Sequence, residues 1–458
     1  MAERERLSSR LGFILLSAGC AIGLGNVWRF PFITGQYGGA AFVLLYLVFL
    51  LLIGLPVMTM EFAIGRASRK NIVGAYKTLE PKGTKWHIAG PFAYIGNYLL
   101  LMFYTTITGW LIYYITVCIR GGFSQSATAT TVSGVFSSLM ANPGLQIIFM
   151  AIALILTSSI VLGGLQKGVE KITKVMMVIL LLMMIVLAIH ACTLDGASKG
   201  LSFYLKPDFS KVVENGVFNT IYAAMGQAFF TLSLGIGAMA IFGSYFSNER
   251  SLSGETVKIM ILDTAVALLS GLIIFPACFA YGVEAGSGPS LLFLSLPEVF
   301  AQMSGGRFWG ALFFLAMAFA ALSTLIAVFE NIVSYWIDIR GMERKKAVLL
   351  NFVLLFILSL PCILGFNVLS GFQPLGEGTG VLDLEDFLVS NIILPLGSLV
   401  MVFFCTTKIG WGWKNFITEA DKGEGMKFPA WLRFYCKWIL PVIIIFVCVV
   451  GIWQIFAK

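Results

Sequence analysis

Apolar residues fall in stretches of about 20 or more, long enough to cross a bilayer as helices, at 11–34, 40–64, 90–118, 145–164, 172–193, 215–242, 259–283, 308–337, 347–366, 387–406 and 438–457. The pattern predicts an all-α polytopic membrane protein of eleven spans that fill nearly the whole chain, with no separate soluble domain and no long low-complexity tail. The segments between spans read as connectors. The Gly-, Ser-, Thr- and Ala-rich stretch 121–144, the segments 199–215 and 366–383, and a surface or re-entrant hairpin over 284–306 are expected at the outer face.

Spans one and six depart from this pattern. Glycines beside hydroxyl or amide side chains interrupt them midway, from Ala21 to Asn26 in the first and from Thr231 to Gly237 in the sixth. Close helix packing is one explanation for glycines in a membrane helix. A broken helix is the other, because helix-breaking residues at membrane depth persist where protein or a water-filled cavity satisfies the freed backbone groups. The breaks lie five spans apart, an offset that reverses topology and predicts two inverted five-helix repeats, 11–195 and 196–408. A gate segment 1–10 precedes them, and a loop with the eleventh helix, 409–458, follows. A broken helix offers N–H groups at one half's start and carbonyls at the other half's end. A zwitterion together with a metal ion would suit both.

Composition agrees: 58% of residues are hydrophobic and 12% charged, against about 25% charged in soluble domains. Arg4, Arg6 and Arg10 precede span one without a following cleavage site, so the first helix is expected to be retained. Basic residues cluster in alternate loops, at 66–85, 167–174, 340–346 and 408–427. By the positive-inside rule the N-terminus is cytoplasmic and the C-terminus outside, in the cell's inner (plasma) membrane. Orientation therefore explains the net charge of +8 without a nucleic-acid partner. The eight cysteines stand singly and read as buried thiols, and two unclustered histidines, His87 and His190, leave little for a zinc site or a triad. No nucleophile and base pair appears in the spans, so an enzyme is not expected.

Four motifs in order, Gly19–Pro31, Glu61–Arg66, Phe229–Gly237 and Ala320–Thr324, resemble the neurotransmitter:sodium symporter family in its prokaryotic eleven-helix branch. The resemblance runs collinearly from Arg4 to about span ten. It implies sodium-coupled symport by alternating access, with the lipid bilayer and a neutral amino acid as partners and an oligomeric state left open. Two sodium ions are implied. The first would meet Ala21, Asn26, Thr231 and Asp263; the second would meet Gly19, Ile22, Ala320, Ser323 and Thr324. Back-bonding of Ser323 and Thr324 to their own helix is the plainer alternative.

Asp263 stands where chloride-dependent relatives have asparagine, beside matches of their chloride ligands at Tyr46, Gln227 and Thr231, with Ala267 replacing a serine. A built-in carboxylate implies chloride independence, with proton counter-transport through Asp263 as a further option. Gly23 stands where amine carriers place an aspartate, so the substrate must bring its own carboxylate. That group would meet the Leu24 and Gly25 amides and Tyr104; the ammonium would meet Ala21, Phe230, Thr231 and Ser233; and the side chain would meet Leu100, Phe230, Ile236 and Val328. No charge lines that subsite, which favours hydrophobic side chains, aliphatic or aromatic.

Arg29 and Asp386 match an outer gate with Phe230 as lid, and Arg4, Asp338 and Tyr245 an inner one. Each pair could equally be a static ion pair. Cys20 and Leu7 depart from the family pattern, Leu7 standing where many relatives seal the inner side with tryptophan. A non-transporting sensor or an ion channel on the same scaffold is the alternative; neither a signalling domain nor a continuous polar stripe is apparent.

Overall fold

The computed structural model describes residues 7–123, 129–284 and 290–456. Nine helices among them are long and apolar enough to cross a membrane unaided: Ala40–Ser68, Trp86–Ile119, Pro143–Leu162, Leu165–Cys192, Leu252–Tyr281, Gly306–Asp338, Arg344–Leu364, Val381–Thr406 and Leu432–Gln454. These are spans two to five and seven to eleven. Span one is a pair, Arg10–Ala21 and Gly25–Gln36, bent by 55°. Span six is split into Val217–Thr231 and Ala238–Tyr245, each too short to cross alone.

Local chemistry sets the helix starts. Ser9, Asn71 and Asn142 accept the N–H of the residue three positions on, at 3.0 Å each. Proline sets the internal irregularities. The π turns at Gly25–Arg29, Leu50–Gly54, Leu291–Ser295, Leu388–Ile393 and Tyr435–Ile439 each end two residues before a proline: Pro31, Pro56, Pro297, Pro395 and Pro441. Proline lacks an N–H and crowds the carbonyl four residues back, and a widened turn relieves both.

Span eight is the axis of the bundle. Its apolar window is 83% buried, against 39% for spans four and nine, whose outer faces are apolar and suited to lipid.

The connectors are more ordered than their composition suggests. Ala129–Ala141 is helical inside the expected loop 121–144, because Gln146 donates to the Leu139 and Met140 carbonyls at 3.1 Å and Asn367 donates to Met140. The 199–215 connection carries the helices Ala197–Leu205 and Phe209–Glu214. The 284–306 segment holds the π turn at Leu291 and Leu296–Gln302, and 366–380 is turns without a helix. Seven cysteines are buried and Cys192 is half-buried, all as free thiols.

Candidate functional site

The two breaks face each other across the bundle. Span one loses its regular ladder over Ile22–Leu24 and span six over Leu232–Gly237. Gly235 (φ 98°) and Gly237 (φ 79°) turn the chain through left-handed backbone that favours glycine. The fully buried Glu61 of span two then accepts the Gly235 and Met239 N–H groups, both at 3.0 Å. A carboxylate at a half-helix start answers the positive end of its dipole. In the sequence Glu61 is visible only as part of a motif; its isolation in an apolar run was the signal for a capping role.

Beside the break in span one, three buried side chains from three spans converge. The Asn26 amide NH2 donates to Asp263 Oδ1 at 2.8 Å, to the Asp263 carbonyl at 3.0 Å and to Thr231 Oγ1 at 3.1 Å. Thr231 donates to Asp263 Oδ2 at 3.0 Å. Gln227 donates to the Gly25 carbonyl at 2.9 Å and supports the break, and the Ser270 hydroxyl stands 2.7 Å from both the Asn26 carbonyl and the Ala267 carbonyl of its own helix. Ser270 is a neighbour of this cluster that sequence reasoning missed.

One detail differs from expectation: the Asn26 oxygen accepts from the Gly23 N–H at 3.1 Å, and the amide's donor end faces the carboxylate. A carboxylate selects the NH2 end. A cation between them would select the oxygen, by a half-turn about the amide bond axis. With that turn, Asn26, Thr231 and Asp263 form an all-oxygen donor set suited to a hard cation.

A second cluster joins spans one and eight. Thr324 Oγ1 stands 3.2 Å from the Ile22 carbonyl, 3.3 Å from Gly19, and 3.4 Å from both Cys20 and Ala320. One hydroxyl proton serves one acceptor, so several carbonyl dipoles converge with a single donor among them. Ser323 donates to Ala320 at 2.8 Å within its own helix, the plainer alternative for that residue. Gly19 is also a packing glycine: a Cβ there would stand 2.9 Å from Thr173 and 3.3 Å from Ser323.

Between the clusters lies a cavity of about 20 Å³ lined by Ala21, Gly25, Leu100, Tyr104, Phe230 and Ser233, all expected there. Gly23, expected to decide that the substrate brings a carboxylate, and Thr324, expected at the second ion, line it as well, together with Val389 and Leu394, which were missed. Val389 belongs to the π turn imposed by Pro395, a tertiary consequence that apolar patterning does not reveal. Leu24 contributes its N–H to the Tyr104 hydroxyl at 2.8 Å. Thr231, Ile236 and Val328 are buried but not among the lining residues.

A volume near 20 Å³ holds about one water, so a larger guest requires the walls to move. Tyr104 and Phe230 also line a vestibule of about 340 Å³ on the far side from the N-terminus. They are the partition between the two spaces. The Arg29 guanidinium lies 4.4 Å above the Phe230 ring. Arg29 reaches Asp386 through Ser390, at 3.4 Å and 2.8 Å, and not by the direct ion pair expected.

At the other end, Arg4 lies outside the described residues. Asp338 accepts from Asn71 at 3.4 Å, and Tyr245 donates to Glu330, which pairs with Arg344 at 2.7 Å. Glu170 of span five accepts the Ser8 N–H and hydroxyl at 2.7 Å and the Ser9 hydroxyl at 3.2 Å. These bonds fasten the N-terminal segment where Leu7 supplies no tryptophan.

The family described as SNF, sodium:neurotransmitter symporter family, matches residues 4–134 and 129–458. The sodium-dependent transporter YhdH of Bacillus subtilis is 35% identical, with 99% of each chain covered. The sodium-dependent serotonin transporter of Drosophila melanogaster is 27% identical over 98% of this chain and 76% of its own. The crystal structure of MhsT in complex with L-phenylalanine is similar at a TM-score of 0.87 and 38% identity, covering 98% of this chain and all of that one.

Proposed function

The chain belongs to the sodium:neurotransmitter symporter family, whose members are sodium-dependent membrane transporters and not enzymes, and from that premise we propose that it imports neutral hydrophobic L-amino acids with two sodium ions, without chloride. The observation that carries this reading is the Asn26–Thr231–Asp263 cluster adjoining a cavity walled by Ala21, Gly25 and Tyr104. The substrate carboxylate would share the first sodium with Asp263. Each would then strengthen binding of the other.

Substrate specificity rests on similar chemistry. No charged side chain lines the small cavity, and Leu100, Phe230, Val389 and Leu394 give it apolar walls. The likeness to MhsT, solved with phenylalanine, supports an aromatic or aliphatic side chain there. Chloride independence rests on Asp263, whose carboxylate stands against Thr231 beside Gln227 and Ala267, the matches of a chloride site.

In the cycle, sodium and substrate enter through the vestibule. Phe230 and Tyr104 close over them, and Arg29, Ser390 and Asp386 brace the closed side. A partly exposed polar link of this kind is worth about 0–1 kcal/mol, weak enough to break at each turn. The opposite end then opens by release of the Tyr245–Glu330–Arg344 and Ser8–Glu170 contacts. The N-terminus faces the cytoplasm in this reading, and Lys458 the outside.

Uptake into proteoliposomes tests the proposal with a panel of labelled amino acids. An inward sodium gradient is expected to concentrate hydrophobic ones, and potassium in its place is not. Sodium current without solute uptake would support a channel instead and overturn symport.

A further inference from the structure

We infer that Asn97 of span three, oriented by Asn331 of span eight, is a positioning residue that sets the depth of the substrate side-chain subsite by holding the Ile236 carbonyl. The inference rests on the amino-acid reading above and deepens it.

Ile236 sits between two glycines in left-handed backbone, near the end of the unwound turn of span six. Such a turn has no helical ladder to fix it, so tertiary contacts must. Three do. Glu61 holds the Gly235 N–H, and Gly235 packs so tightly on span ten that a Cβ on Gly397 would overlap the Gly235 carbonyl. On the acceptor side, Asn97 Nδ2 donates to the Ile236 carbonyl at 2.9 Å.

The orientation of that amide is itself fixed. Asn331 Nδ2 donates to Asn97 Oδ1 at 2.9 Å, and Asn97 Nδ2 also bonds the Ala93 carbonyl at 3.0 Å. Both asparagines are fully buried. Turning the Asn97 amide over would set two NH2 groups against each other and a carbonyl against Ile236, so only one orientation is satisfied.

The neighbouring residue couples this tether to the cavity. A Cβ on Gly96 would stand 3.1 Å from Ile236 Cγ2 and 2.6 Å from Ile393 Cγ2, so both isoleucines press on span three at that point. Leu100, one turn further along the same helix, lines the cavity. One face of span three thus fixes the Ile236 backbone, packs its side chain and supplies the cavity wall. Ile236 itself lies behind the cavity wall, to which the same unwound turn contributes Ser233; release of the carbonyl lets that turn recede and deepens the subsite.

The test is competition of labelled L-phenylalanine binding by L-tryptophan and by L-valine, on the purified full-length protein in sodium buffer. For Asn97→Leu, similar in size but without a donor, the tryptophan-to-valine affinity ratio is expected to rise about fivefold, in line with one lost hydrogen bond. The sodium concentration for half-maximal binding should stay at its wild-type value, whereas general damage would shift it. Asn331→Ala, which removes only the orienting bond, is read by the same ratio if Asn97→Leu is not recovered folded. A ratio within twofold of wild type in the variant recovered overturns the tether. Wild-type protein that binds no amino acid in sodium overturns the amino-acid reading, and the tether with it.

Discussion

Replacing Gly23 by alanine should uncouple the substrate cavity from both ion clusters. Gly23 is not among the glycines with positive φ, so its backbone accepts alanine and the effect is steric. The new Cβ would overlap the Tyr104 hydroxyl and stand 2.7 Å from Thr324 Oγ1. Tyr104 must retreat, which breaks its 2.8 Å bond with the buried Leu24 N–H. A buried donor left unpaired costs about 1–3 kcal/mol, or roughly 5- to 150-fold in affinity at 1.4 kcal/mol per tenfold.

The assay is sodium-dependent substrate binding to purified protein across a sodium titration. Gly23→Ala is expected to weaken binding within that range and to raise the sodium requirement, because Thr324 is displaced too. Tyr104→Phe removes the hydroxyl that the methyl meets, so the double variant should be little worse than Tyr104→Phe alone, a strongly non-additive result. Binding by Gly23→Ala within twofold of wild type, or full additivity in the double variant, would refute the reasoning.

Three further outcomes follow from the same geometry. Replacing external chloride by gluconate should leave sodium-driven uptake unchanged, whereas Asp263→Asn with Ala267→Ser should make uptake chloride-dependent; loss of wild-type uptake in gluconate would contradict the role given to Asp263. Thr324→Val keeps the volume but removes the oxygen nearest the Ile22 and Gly19 carbonyls, and should raise the half-saturating sodium concentration about 5- to 10-fold, as measured by sodium-jump binding at fixed substrate. Glu61→Gln loses one of two charge-assisted bonds to span six and should lower stability by about 1.5–3 kcal/mol, seen as a reduced melting temperature in detergent; an unchanged melt would remove Glu61 as the cap.

Much of this protein was legible in its sequence because membrane physics reads composition directly. A bilayer demands long apolar stretches and excludes most else, so the eleven span positions follow from hydropathy, and the glycines at 21–26 and 231–237 stand out as breaks. Asp263 is conspicuous for the same reason. What hydropathy could not convey is distance across the bundle. Composition reads 121–144 as a loop, although Gln146 of span four and Asn367 of the turns after span nine cap a helix there. The family resemblance implied a direct pair of Arg29 and Asp386, although the π turn before Pro395 brings Ser390 between them. Val389, Leu394 and Ser270 carry no mark in a one-dimensional pattern, because only the packing of the spans brings them to the site. By itself the sequence determined where the helices break and which oxygens are candidates to meet a cation. Only tertiary packing decided which carbonyls converge on Thr324, which end of the Asn26 amide faces Asp263, and how Asn97 holds a turn that has no ladder of its own.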